Sequence, residues 1–62
     1  MLFIETNIVT IIMSKPNALK IEFKAVSFEA GYLEALDKYE KMGLIGRYYV
    51  IGSDGSHKVI NQ

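Results

Sequence analysis

The chain has no cysteine, one histidine and one proline. Without cysteine there is no disulfide to staple the fold and no thiolate to act as nucleophile or metal ligand. One histidine cannot build a zinc site by itself. Seven Lys and Arg balance seven Asp and Glu. A neutral chain argues against a general polyanion binder, while leaving room for a local basic patch. The carboxylates form no Asp-x-Asp or Glu-x-x-His arrangement, so neither a metal nor any other cofactor is expected. The glycines at 43, 46, 52 and 55 suit a cap, a strand and turns, not a phosphate-binding loop. The run from Ile8 to Met13 is too short to span a bilayer. The opening MLFIETNIVTII has no basic head and is interrupted by Glu5 and Asn7, which argues against a leader. A cytoplasmic protein with no membrane partner is expected.

Half of the sixty-two residues are hydrophobic, ample for a folded domain and against disorder. The expectation is one domain over residues 1–62. A chain this short buries only about 60% of the surface its unfolded form exposes, so it is marginal alone and gains from oligomerising.

Ser27–Gly43 organises the rest. With Phe28 at zero on a helical wheel, Tyr32, Ala35, Leu36, Tyr39 and Met42 share one stripe. Glu34, Asp37, Lys38 and Lys41 lie opposite, and Glu34–Lys38 and Asp37–Lys41 are i,i+4 pairs. Ser27 is a good N-cap and Gly43 a good C′ residue, with Leu44 placed for the hydrophobic contact that follows it. Gly31 costs roughly 1 kcal/mol against Ala inside a helix; its use is to let a strand or a second helix come close. Leu33 lies off the stripe.

Strand-forming sequence flanks the helix. β-Branched residues dominate from about Leu2 to Met13, with both faces apolar from Ile8 onward. Met13-Ser14-Lys15 also resembles a translation start, which would make residues 1–12 an extension the core does not need. Pro16 and Asn17 mark a turn. In Ala18–Val26, Leu19, Ile21, Phe23 and Ala25 alternate with Lys20, Glu22 and Lys24, the pattern of a half-buried antiparallel strand. Leu44–Gly52 and His57–Asn61 are strands joined at Asp54-Gly55, read as a two-residue type I′ hairpin. That register sets Val50 opposite Val59 and Tyr49 opposite Ile60. Tyr49, Ile51 and Ile60 then share one face; Tyr48, Val50, His57 and Val59 share the other. The fold is α+β, β-β-α-β-β, with one amphipathic helix on an antiparallel sheet. The expected core is Leu19, Ile21, Phe23, Phe28, Tyr32, Leu36, Tyr39, Tyr49, Ile51 and Ile60.

Two partial resemblances involve the C-terminal half. Lys41-Met42-Gly43 with Gly55-Ser56-His57-Lys58-Val59-Ile60 is similar to the helix and hairpin of HicA-type toxins, small ribonucleases. That likeness implies a catalytic role for His57. Tyr32–Val59 resembles the third helix and wing of winged-helix proteins of the MarR type. It implies DNA contacts from Arg47, His57 and Lys58. Neither family is assigned.

One helix covers one face of a sheet, which leaves apolar residues on the other. The expectation is a small, non-enzymatic interaction protein that self-associates as a dimer and binds another macromolecule, a protein first. By size it is akin to phage or plasmid accessory proteins. The interface is expected at Ile8, Val9, Ile11, Tyr48, Val50 and Val59. A nucleic-acid-binding module using Lys20, Lys24, Arg47, His57 and Lys58 is the alternative, and a ribonuclease centred on His57 the third reading. The tyrosines at 32, 39, 48 and 49 read as core or interface residues, with base stacking as the alternative.

Overall fold

A computed structural model of the chain describes residues 8–62. The described elements run β1 (Val9–Ser14), β2 (Lys20–Ala25), α1 (Phe28–Lys41), β3 (Tyr48–Gly52) and β4 (His57–Ile60). The β-β-α-β-β order is as expected. The strands form one antiparallel sheet in the order β2-β1-β3-β4. The proposed earlier part of the first strand, residues 2–7, lies outside the described residues. Residues 9–12 belong to a central strand whose Val9 and Ile11 are buried.

The helix begins and ends as its sequence dictates. Ser27 is extended, and its hydroxyl accepts the Ala30 N–H at 3.2 Å. At the other end Gly43 takes φ 67°, the left-handed geometry in which glycine has no Cβ penalty. The Gly43 N–H then reaches the Glu40 carbonyl and the Leu44 N–H reaches the Tyr39 carbonyl, at 3.1 and 3.0 Å. This is a Schellman closure, and Leu44 packs back on the core. Both expected i,i+4 pairs form, Lys38–Glu34 at 3.8 Å and Lys41–Asp37 at 3.1 Å. Met42 leaves the stripe, because it is the C-cap and stands exposed.

Phe28, Gly31 and Ala35 are the buried face of α1; Tyr32, Leu36 and Tyr39 pack half-buried beside them. They rest on Val9, Ile11 and Met13 of β1, on Tyr48 and Val50 of β3, and on Ile60 of β4. Gly31 sits directly over β1: a Cβ there would run into the Ile11 side chain and come within 3.2 Å of the Ala25 Cβ. Gly52, at the end of β3, makes the same allowance for Phe28, whose Cδ1 would lie 2.8 Å from an added Cβ.

The hairpin register differs from expectation by one residue. Tyr48 pairs with Ile60, Tyr49 with Val59, Val50 with Lys58 and Ile51 with His57. A type I′ turn needs positive φ at both central residues, and Asp54 does not have it; only Gly55 does, at φ 97°. The loop is instead Ser53-Asp54-Gly55, closed by Gly55 N–H to Gly52 carbonyl and Gly52 N–H to Ser56 carbonyl. It is the three-residue pattern with a left-handed glycine at its end. Asp54 Oδ1 accepts the Ser56 N–H at 3.0 Å, and Ser53 is pinned to β1 by exchange with Thr10.

Because side chains alternate along a strand, the faces expected from the sequence are mis-sorted. Tyr48, Val50 and Ile60 face the helix and are buried, whereas Tyr49 and Ile51 do not belong to the core. Leu19 is also exposed, since the strand starts only at Lys20. A winged helix would require helices before α1; β1 and β2 stand there instead.

Gly31→Ala should destabilise the protein although Ala is the better helix former. The helical gain is about 1 kcal/mol, against an overpacking cost of typically about 1–3 kcal/mol. A urea midpoint equal to or above the parent's would show that the helix lies farther from β1 than described.

Candidate functional site

The face of the sheet away from α1 is the surface with the most chemistry to offer. Strand register lays it out in rows. One row runs Glu22, Ile12, Ile51, His57 across the four strands; the next runs Lys20, Ser14, Tyr49, Val59. Ile12 and Ile51 are therefore cross-strand neighbours, as are Tyr49 and Val59, and Tyr49 and Ile51 lie two apart on one strand. The four make a continuous apolar patch. Ile51 is 43% exposed, and Ile12, Tyr49 and Val59 are half-buried.

Polar residues border it. Lys20, Glu22 and Lys24 line the β2 margin, and His57 lies exposed on β4. Lys20 Nζ stands 3.4 Å from Glu22 Oε2, with both side chains more than half exposed. Water screens such a pair, and it contributes little to stability. Thr10 continues the face toward the hairpin loop, where its N–H donates to Ser53 Oγ at 3.0 Å.

The residues expected at an interface divide. Val9, Ile11, Tyr48 and Val50 are buried under α1 in the single chain, not exposed on a sheet face as expected. The reason is the side-chain parity set by β1, which turns its odd-numbered residues to the helix. Ile8 is exposed just before β1, and Val59 belongs to the helix-free face. The basic residues divide as well. Lys20, Lys24 and His57 share the helix-free face. Lys58 points to the other side, with Nζ 4.8 Å from the Tyr32 ring centre, a cation–π contact. Arg47 is exposed in the connection between α1 and β3. Ile12, Tyr49 and Ile51 are face residues that sequence reasoning missed. Their signal was the step from Ile11 to Ile12, readable only once Ile11 is known to meet the helix.

A separate polar node closes the opposite end of the core. Tyr39 Oη donates to the Gly46 carbonyl at 3.0 Å, and Asn61 Nδ2 donates to both, at 3.3 Å. Asn61 adopts φ 58° to reach them, a conformation asparagine tolerates. The node ties the C-terminal end of α1, the α1–β3 connection and the end of β4 together.

Among the described residues there is no pocket and no cluster of three or more potential metal ligands. No described helix is long and apolar enough to cross a membrane. The chain matches no family model, no curated protein and no solved structure.

Two neighbouring substitutions test the assignment of faces. Ile51→Lys should change stability by no more than about 0.5 kcal/mol, as at other surface positions. Val50→Lys should abolish folding, because it places an unpaired charge in the core. Equal tolerance of both in thermal melts would contradict the β3 orientation.

Proposed function

We propose that this chain is a small, non-enzymatic, cytoplasmic interaction protein. It self-associates and binds another macromolecule through the helix-free face of its sheet. The observation that carries this reading is the continuity of Ile12, Ile51, Tyr49 and Val59 across three strands. Apolar area of this kind gains about 25 cal/mol for each Å² withdrawn from water. Its occupant is a protein surface with an apolar centre, and with carboxylates at the margin that meets Lys20 and Lys24.

Nucleic acid is the second reading. It is favoured by one feature: Lys20, Lys24 and His57 lie on the same face as Tyr49, a ring on which a base could stack. Glu22 stands between the two lysines and offsets part of their charge, which is why a protein partner ranks first. His57 serves this face as a polar margin residue.

The test is capture of partners from host lysate by the immobilised protein, with and without nuclease. A defined protein band that survives nuclease and disappears with Tyr49→Ala or Ile51→Lys is expected. Loss of the captured material on nuclease treatment would favour the nucleic-acid reading. Undiminished capture by both variants would remove the helix-free face from the function.

A further inference from the structure

Among the described residues, the outer edge of β2 is unpaired, and its chemistry suits a second copy of the same strand. The backbone groups available there follow from the β1–β2 pairing. The Lys15 N–H donates to the Leu19 carbonyl at 2.9 Å. Hydrogen-bonded pairs alternate along an antiparallel ladder, so Ile21, Phe23 and Ala25 direct their backbone groups at β1. Lys20, Glu22 and Lys24 direct theirs outward. An edge with free N–H and C=O groups is a template for another strand.

The side chains on that edge are self-complementary. An edge guarded by lysines alone would set like charges opposite one another in a second copy. This one alternates Lys20, Glu22, Lys24, all exposed, and holds them by only a solvent-exposed Lys20–Glu22 contact. Two copies of β2 running antiparallel can pair their outward groups in three adjacent registers. Centring the two-fold on Glu22 sets Glu22 against Glu22 and Lys20 against Lys24, and like charges directly opposite repel. Centring it on Ile21 sets Lys20 of each copy against Glu22 of the other. Centring it on Phe23 sets Glu22 against Lys24.

The helix side of the strand decides between the last two. The Ile21 centre places Leu19, 44% exposed in the single chain, against Phe23 of the second copy, with Ile21 against Ile21 between them. The Phe23 centre leaves Leu19 beyond the strand, opposite Ser27. We infer that the protein forms a two-fold dimer by antiparallel pairing of β2 with β2 about Ile21, joining two four-stranded sheets into one of eight. This rests on the self-association proposed above. It leaves the helix-free faces of both copies open on the same side of the joined sheet.

Charge reversal read by sedimentation equilibrium at micromolar concentration tests it. The parent should sediment at twice its 7.0 kDa chain mass. Glu22→Lys and Lys20→Glu should each give a monomer, since each sets like charges opposite one another. The double variant Lys20→Glu with Glu22→Lys should return to a dimer. Thermal melts of the dissociated variants should show a folded chain, because both side chains are exposed. A double variant that stays monomeric overturns the Ile21 register. A dimer indifferent to both single changes overturns the β2 edge while leaving self-association standing. A monomeric parent overturns both.

Discussion

At Gly31 the helix offers no side chain, and Ile11 of the central strand occupies the space that a Cβ would need. This close approach fixes where everything else can sit. With Ala25 below and Ala35 one turn on, small residues hold the helix axis down over β1 and β2. The large residues of the stripe, Tyr32, Leu36 and Tyr39, are then left to fill the space beside it. Tyr39 meets Tyr48 edge to face, with ring centres 5.6 Å apart. Phe28 finds room only because Gly52 lies beneath it. Two glycines, one in the helix and one in a strand, thus set the spacing between the two layers.

A single helix held so closely covers one side of four strands, and the other side must answer to water. The strands meet that demand unevenly. β2 turns Lys20, Glu22 and Lys24 outward, whereas β1 and β3 turn out Ile12, Tyr49 and Ile51. Lys20, Glu22, Lys24 and His57 stand at the margins and Ile12, Tyr49 and Ile51 at the centre, an arrangement shared by protein recognition surfaces.

Much of the architecture was legible in the sequence. The helix announced itself three ways, through Ser27, Gly43 and the spacing of Phe28, Tyr32, Ala35 and Leu36. Local backbone chemistry controls all of these. The strict alternation in β2 was equally clear, because each face there has its own chemistry. What could not be read was parity in strands whose faces are chemically alike. In Tyr48-Tyr49-Val50-Ile51 either pair could face the core, and only pairing with Met13 and Ser14 of β1 selects Tyr48 and Val50. The hairpin hid a second ambiguity. Asp-Gly suits a two-residue turn, but Ser53 can join them in a three-residue loop when its N–H finds the Thr10 carbonyl. That partner lies far away in the sequence, and the one-residue difference keeps Ile60 in the core while setting Tyr48 and Val50 beside it in place of Tyr49 and Ile51. Val9, Ile11, Tyr48 and Val50, expected at an interface, lie on the helix side through strand parity alone.

The strand order has a consequence for how the chain reaches this state. β1 is the earliest described strand, yet it lies between β2 and β3. Its pairing with β2 is local and can form as soon as the turn at Pro16 and Asn17 closes. Its pairing with β3 joins Ile11 to Gly52 and must wait for nearly the whole chain. Loop-closure entropy is spent before that contact returns anything, which slows folding as such separations grow. During synthesis the apolar side of the β1–β2 hairpin would therefore stand uncovered until α1 has emerged, and the second edge of β1 until β3 follows. In this protein the interval between making a strand and completing its neighbours is set by the topology, and it is the time in which a nascent chain is most open to chaperones and to aggregation.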